Sequence, residues 1–215
     1  MRVIYTQTVD PVIEHVRDTL SRHLLSGARV LWLLSGGSAI GLEVRIAEAL
    51  QVLDVSRLSI GLVDERYGQP GHDNENYLQL TQAQFPLPIA RVLRGESPED
   101  TTAVYTQYIK RALDEADFSL GIFGIGADGH TAGIKPHSPA VASTDSVLYY
   151  EWDDYERITI TPPFIQRLDE AVIYAAGQEK ASTLRALIQT KLPPEGQPAQ
   201  LLKEHPRSSL YTDIA

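Results

Sequence analysis

Apolar positions along this chain alternate between two spacings. Val30-Leu31-Trp32-Leu33-Leu34 is an unbroken apolar run that stops at Ser35-Gly36-Gly37-Ser38. A short run with no polar alternation predicts a strand buried on both faces. Ile40 to about Leu50 follows with Ile40, Val44 and Ala47 at helical spacing. Leu58 to Val63 predicts a second buried strand, closed by Asp64-Glu65-Arg66. Thr101 to about Ala116 predicts a helix with Val104, Tyr108 and Ala112 on one face and Lys110 and Glu115 on the other. Phe118 to Phe123 is a third strand, running into Gly124-Ile125-Gly126-Ala127-Asp128-Gly129-His130. Arg157 to Thr161 has the β-branched content of a strand, and Pro162-Pro163 suits a helix start. Ala171 to Ala175, Glu179 to about Gln189, and Ser208 to Tyr211 complete the series as strand, helix and short strand.

Strands alternating with helices predict an α/β fold, a Rossmann-like and mainly parallel sheet sandwiched by helices. The stretches rich in Pro and Gly, such as Pro86 to Pro88 and Pro193 to Pro198, are too short to link separate domains. One domain over residues 1–215 is expected. In such sheets ligands bind beyond the carboxyl ends of the strands. Three consecutive strand ends carry polar or glycine-rich segments, and a fourth carries Gly177 and then Lys180.

Composition narrows the chemistry. With 19 Lys and Arg against 28 Asp and Glu, the formal charge is −9. That balance disfavours a nucleic-acid partner, which needs a positive footprint; a small anion requires a local site that overrides the global field. The absence of cysteine removes thiolate catalysis and cysteine-ligated metals. No apolar run approaches the roughly 20 residues that span a bilayer, and the first residues lack a signal-peptide core. The expectation is a cytoplasmic chain with no membrane partner. The oligomeric state is left open, with a monomer favoured.

Each strand end has its own chemical reading. In Ser35-Gly36-Gly37-Ser38 the glycines permit close backbone approach, so backbone N–H groups and the Ser38 hydroxyl suit a phosphate; a tight strand-to-helix turn has the same pattern. Arg66 presents a planar fork for phosphate, and Asp64 or Glu65 suits a sugar hydroxyl or a base, unless the three form a structural ion-pair set. Asp128 and His130 lie two apart in a glycine-rich loop, where a carboxylate fixes the tautomer of a general-base imidazole. The alternative there is a histidine that only caps backbone groups. No spacing matches a metal site. Lys180 opposes the dipole at the start of a helix, a conflict that a bound anion would remove; an exposed lysine is the alternative.

Taken in order, these segments resemble the 6-phosphogluconolactonase family, part of a wider group with the glucosamine-6-phosphate deaminases. The resemblance rests on Leu34-Ser35-Gly36-Gly37-Ser38, on Asp64-Glu65-Arg66 with His72 and Asn76-Tyr77, and on Gly124 to Ala132 with Pro136 and Pro139. Arg157 to Thr161, Gly177 to Ala181 and Leu201 to Pro206 extend it. It implies hydrolysis of 6-phosphoglucono-δ-lactone to 6-phosphogluconate in the oxidative pentose phosphate route. His130 would be the general base and Asp128 its support. Gly36, Gly37, Ser38, Arg66, Arg157 and Lys180 would hold the phosphate or nearby ring oxygens of a phosphosugar lactone. No metal or organic cofactor is implied.

Two departures from the family pattern stand out. Gly133-Ile134-Lys135-Pro136 replaces a usual Ser-Leu-Phe-Pro, putting a charge near the expected base. Glu151-Trp152-Asp153-Asp154-Tyr155 replaces a run rich in Pro and Lys, putting carboxylates near the expected phosphate site. A deaminase or isomerase would need a further carboxylate soon after the histidine, and none occurs between His130 and Asp145. A non-catalytic sugar-phosphate sensor is the rival from a different class. It normally carries an N-terminal DNA-binding module, for which a first core strand near residue 30 leaves little room.

Overall fold

The computed structural model describes residues 1–215. Six strands form one parallel sheet: β1 (Arg2–Tyr5), β2 (Val30–Leu34), β3 (Leu58–Leu62), β5 (Phe118–Phe123), β8 (Glu170–Tyr174) and β9 (Ser208–Thr212). Their order across the sheet is β1-β9-β8-β5-β2-β3, with every pairing parallel. A second, antiparallel sheet has the order β4-β7-β6, from β4 (Asp64–Arg66), β6 (Val147–Tyr150) and β7 (Arg157–Ile160). The helices are α1 (Asp10–Leu25), α2 (Ile40–Leu50), α3 (Asn76–Gln82), α4 (Pro98–Glu115), α5 (Pro162–Ile165), α6 (Ala181–Gln189) and α7 (Gln200–Glu204).

The chain leaves β2 towards β3 at one edge, then returns to β5 on the opposite side of β2. The crevice between the carboxyl ends of β2 and β5 is therefore a topological switch point, where adjacent loops diverge and leave room for a ligand. β2 and β5 are buried throughout, which explains their unbroken apolar runs. One continuous apolar core includes Trp32 and Leu120 of the large sheet and Ile158 and Ile160 of the small one, so the small sheet packs on the same interior.

Several details differ from the sequence-based expectations. An N-terminal strand and a 16-residue helix precede β2. The buried positions of α1 are Val12, Ile13, Val16, Thr19, Leu20 and Leu24, a helical stripe interrupted by enough charge to lower its mean hydropathy. Asp64-Glu65-Arg66 is not a loop but a strand. It pairs antiparallel with β7, so Arg157 to Ile160 belongs to the small sheet rather than to the parallel series. Residues 178–180 form a 3₁₀ turn ahead of α6, so the α-helix begins at Ala181.

The inward face of α4 is also rotated by one residue. Thr101, Tyr105, Ile109 and Leu113 are buried, while Val104 is 40% exposed. The reason is the edge of β3. The Tyr105 hydroxyl donates to the Leu62 carbonyl at 2.5 Å and accepts from the Leu62 N–H at 2.8 Å, and the Tyr108 hydroxyl donates to the Ile60 carbonyl at 3.1 Å. Backbone groups on an edge strand demand partners; Tyr105 supplies them to Leu62, while the Ile60 carbonyl also accepts from the Ala90 N–H at 3.0 Å. Ser97 caps this helix by accepting from the Asp100 N–H at 3.1 Å.

Candidate active site

The switch point opens into a cleft of about 210 Å³, lined by residues 35–38, Asp64, Arg66, 124–126, His130, Ala132 and Lys180. The loops after β2, β5 and β8 meet there with β4.

The loop after β2 is held from below by a buried acid. Glu43, fully buried on α2, accepts from the Ser35 N–H at 2.6 Å and the Gly36 N–H at 3.3 Å. Burial pushes its carboxyl up to about 8, against the pull of those two N–H groups. The Gly36 N–H is thus spent on the protein. The N–H groups of Gly37 and Ser38, at the head of the following turn, keep no protein partner and remain for a ligand. Gly36 has φ +73°, and a Cβ there would lie 2.7 Å from the Asn76 Oδ1, so only glycine fits.

β4 supplies the neighbouring wall. Glu65 points away from the cleft and accepts from the N–H groups of Arg66, Asn76 and Tyr77 at 2.9, 2.6 and 3.0 Å, tying α3 to the strand. Asp64 and Arg66 alternate with it and line the cleft. The Asn76 Oδ1 accepts from the Arg66 Nη1 at 2.5 Å, and its Nδ2 donates to the Asp64 carbonyl at 2.9 Å. The Arg66 Nε is buried with no partner. A guanidinium with an unspent donor beside a polar cleft is suited to an anionic or carbonyl oxygen. Asp64 is 6% exposed and its carboxyl makes no hydrogen bond within the protein. Burial raises that carboxyl above the usual range, despite Arg66, Arg157 and His130 nearby.

The loop after β5 carries the candidate base. The His130 Nδ1 lies 2.5 Å from the Asp128 Oδ1, which assigns the proton to Nδ1 and leaves Nε2 as the basic atom. The backbone N–H of His130 also donates to Asp128 at 3.1 Å. A Cβ on Gly126 would run into the His130 imidazole, so the ring can fold back along the loop only over glycine. Thr131 braces the same loop by donating to the Gly124 carbonyl at 2.8 Å. Partial burial tends to raise the Asp128 carboxyl, but hydrogen bonds from His130 and Lys135 outweigh it and hold the group well below the usual carboxylate range.

The residues singled out from the sequence separate here. Gly36, Gly37, Ser38, Arg66, His130 and Lys180 share the cleft, and Lys180 has no ion-pair partner. Asp128 stands behind His130. Arg157 does not line the cleft: its guanidinium is buried against Asp154, at 2.6 and 3.0 Å, and donates to the Tyr155 carbonyl at 3.0 Å. The bidentate partner arises from the acidic stretch that departs from the family pattern. Sequence reasoning missed Glu43 and the double duty of Asn76. The first left a signal, an acid set into the apolar stripe of Ile46, Ala47 and Leu50; the second left none. His15 bonds to Glu170 and Tyr211 and His205 to the Leu168 carbonyl, away from the cleft.

Comparison with known proteins identifies the family. The family model described as "Glucosamine-6-phosphate isomerases/6-phosphogluconolactonase" matches residues 4–211. A probable 6-phosphogluconolactonase 1 from Arabidopsis thaliana is 29% identical over 84% of this chain and 74% of its own length. The human 6-phosphogluconolactonase is 26% identical over 84% of this chain and 77% of its own. Among solved structures, 6-phosphogluconolactonase from Thermotoga maritima superposes with a TM-score of 0.82 at 21% identity, covering 98% of this chain and 97% of that one. A monomeric glucosamine-6-phosphate deaminase superposes with a TM-score of 0.78 at 17% identity, covering 99% and 97%, so the fold is common to both reactions. No helix is long and apolar enough to cross a membrane. Because that family model matches nearly the whole chain, this chain belongs to the glucosamine-6-phosphate isomerase/6-phosphogluconolactonase family.

Proposed function

We propose that this chain hydrolyses 6-phosphoglucono-δ-lactone to 6-phosphogluconate, with His130 as the general base. One observation carries the reading. An imidazole oriented by Asp128 faces the same small cleft as Arg66, Lys180 and the free N–H groups of Gly37 and Ser38. The cations and the N–H groups suit a phosphate and the developing negative charge of an ester carbonyl. His130 Nε2 takes a proton from water as the oxygen attacks the lactone carbonyl carbon. The tetrahedral intermediate then collapses, breaking the bond to the ring oxygen. That oxygen leaves as the sugar's 5-hydroxyl, taking the proton back from the imidazolium. Asp128 keeps Nδ1 protonated throughout and stabilises the transient positive charge.

Asp64 is the one acidic residue lining the cleft, and no Asp or Glu follows His130 before Asp145. A deaminase that opens a sugar ring and moves a proton at C2 needs a further carboxylate beside the histidine, so the hydrolytic reading fits this lining better.

The test is lactone turnover measured against spontaneous hydrolysis, with glucosamine 6-phosphate run in parallel and ammonia monitored. Accelerated lactone loss without ammonia is expected. His130→Ala should lower the rate by about 10²-fold or more while the protein stays folded. Ammonia release, or no acceleration by folded wild-type protein, would overturn the reading.

A further inference from the structure

Behind His130, Lys135 joins two carboxylates that are distant in sequence. Its Nζ donates to the Asp128 Oδ2 at 2.8 Å, lies 3.8 Å from the Asp154 Oδ2, and approaches the His130 Nδ1 to 3.5 Å. Its side chain is only 14% exposed. A buried ammonium is costly unless paired, and here the partners come from two separate segments. The result is a line of alternating charge: His130, Asp128, Lys135, Asp154, Arg157. Its two inner additions, Lys135 and Asp154, both lie in segments where the sequence departs from the family pattern, and they meet as counter-ions.

We propose that Lys135 is a positioning residue for the general base, clamping Asp128 from the side opposite His130, with Asp154 as the counter-charge that keeps this clamp electrically balanced. The inference rests on His130 being the working base of the cleft. Asp128 has two oxygens; with Oδ2 held by Lys135, Oδ1 is fixed towards the His130 Nδ1. Because Nδ1 already donates to Asp128, the Lys135 ammonium meets the ring as a neighbouring charge rather than as a hydrogen-bond partner. The other charged groups facing the imidazole or its supports are Asp64 on β4, Lys180 and Arg66 across the cleft, and Arg157 behind Asp154. Of these, Lys135 is the cation that shares a carboxylate with the histidine.

The arrangement predicts opposite responses from two variants. Lys135→Met removes the cation and frees Asp128, so the imidazolium becomes easier to form. Asp154→Asn removes the counter-charge and leaves the cation unbalanced, so the imidazolium becomes harder to form. Asp154→Asn also strips the buried Arg157 of its carboxylate, so its folding is checked by urea unfolding beside the titration, whereas Lys135→Met and Lys135→Arg leave that pair intact. The first measurement is an NMR titration of the His130 ring in labelled protein, which needs no substrate. The midpoint should rise in Lys135→Met and fall in Asp154→Asn, each by about 0.5 pH unit or more, and Lys135→Arg should restore the wild-type value. The acidic limb of the lactonase pH profile should move the same way, with kcat falling and KM nearly constant in Lys135→Met. Coincident titrations in all four proteins would overturn the proposal, as would shifts of the same sign in both variants. A wild type inactive on the lactone but with the expected NMR shifts would instead fault the hydrolytic reading and leave the clamp standing.

Discussion

Both carboxylate oxygens of Asp154 are engaged by the guanidinium of Arg157, at 2.6 and 3.0 Å, and this pairing keeps Arg157 out of the cleft. Arg157 therefore stabilises the β6–β7 hairpin rather than the substrate. Arg157→Met should lower unfolding stability by about 1–3 kcal/mol through loss of a partly buried charged pair. KM for the lactone should change by less than about threefold, far below a lost charge contact. Urea unfolding and initial rates measure the two effects. A tenfold rise in KM at unchanged stability would put the guanidinium on the substrate.

Lys180 presents the opposite case. It lines the cleft and has no ion pair, so its charge is available to an anion. Lys180→Ala should raise KM by about tenfold, the scale of one lost charge-assisted contact, while kcat and the urea midpoint stay close to wild type. Steady-state kinetics read this directly; an unchanged KM would remove Lys180 from the anion site.

Gly36 is constrained both by its backbone and by its neighbour. Gly36→Ala forces a side chain into φ +73° and towards the Asn76 Oδ1 at 2.7 Å. Stability should drop by about 1–3 kcal/mol, and substrate binding should weaken because the displaced Asn76 is the group that holds Arg66. Thermal unfolding with and without 6-phosphogluconate would show both losses. Wild-type behaviour would mean that the loop is softer than its geometry indicates.

Glu43 sets a pH dependence of stability. Its folded carboxyl titrates at about 8, well above the ordinary 4.5, so between these values the unfolded chain is ionised while the folded one holds a proton. The folded state then binds more protons than the unfolded state, and stability falls as pH rises through that window. Glu65, also raised to about 8 by burial, acts in the same direction. Urea midpoints should decline from about pH 5 to pH 8, and the decline should be shallower in Glu43→Gln. A midpoint that climbs over this range would contradict the buried, protonated state.

Much of the framework was legible because it depends on local pattern. The apolar runs at Val30 to Leu34 and Phe118 to Phe123 read as buried strands, with the polar segments after them at the strand ends, and both are strands buried throughout. The candidate base was legible for a related reason: Asp128 and His130 are two residues apart, so their hydrogen bond is decided within one loop. Lys180 was legible as a charge in conflict with its own helix.

Tertiary structure alone decided what depends on partners far apart in the chain. Asp64-Glu65-Arg66 became a strand because β7, more than ninety residues away in sequence, offers it an edge. On the inward face of α4, the Tyr105 hydroxyl meets the N–H and carbonyl of Leu62 on β3, contacts that sequence spacing alone does not reveal. Arg157 stands outside the cleft because the Asp154 carboxylate and the Tyr155 carbonyl take up its fork. Lys135, which by sequence alone was an intrusion beside the base, was given its place by Asp128 and Asp154 together. Local hydrophobic period and short loops determine where elements and nearby side-chain pairs form. The fate of a charge depends on which opposite charge the fold delivers within hydrogen-bonding reach, and only the three-dimensional arrangement carries that information.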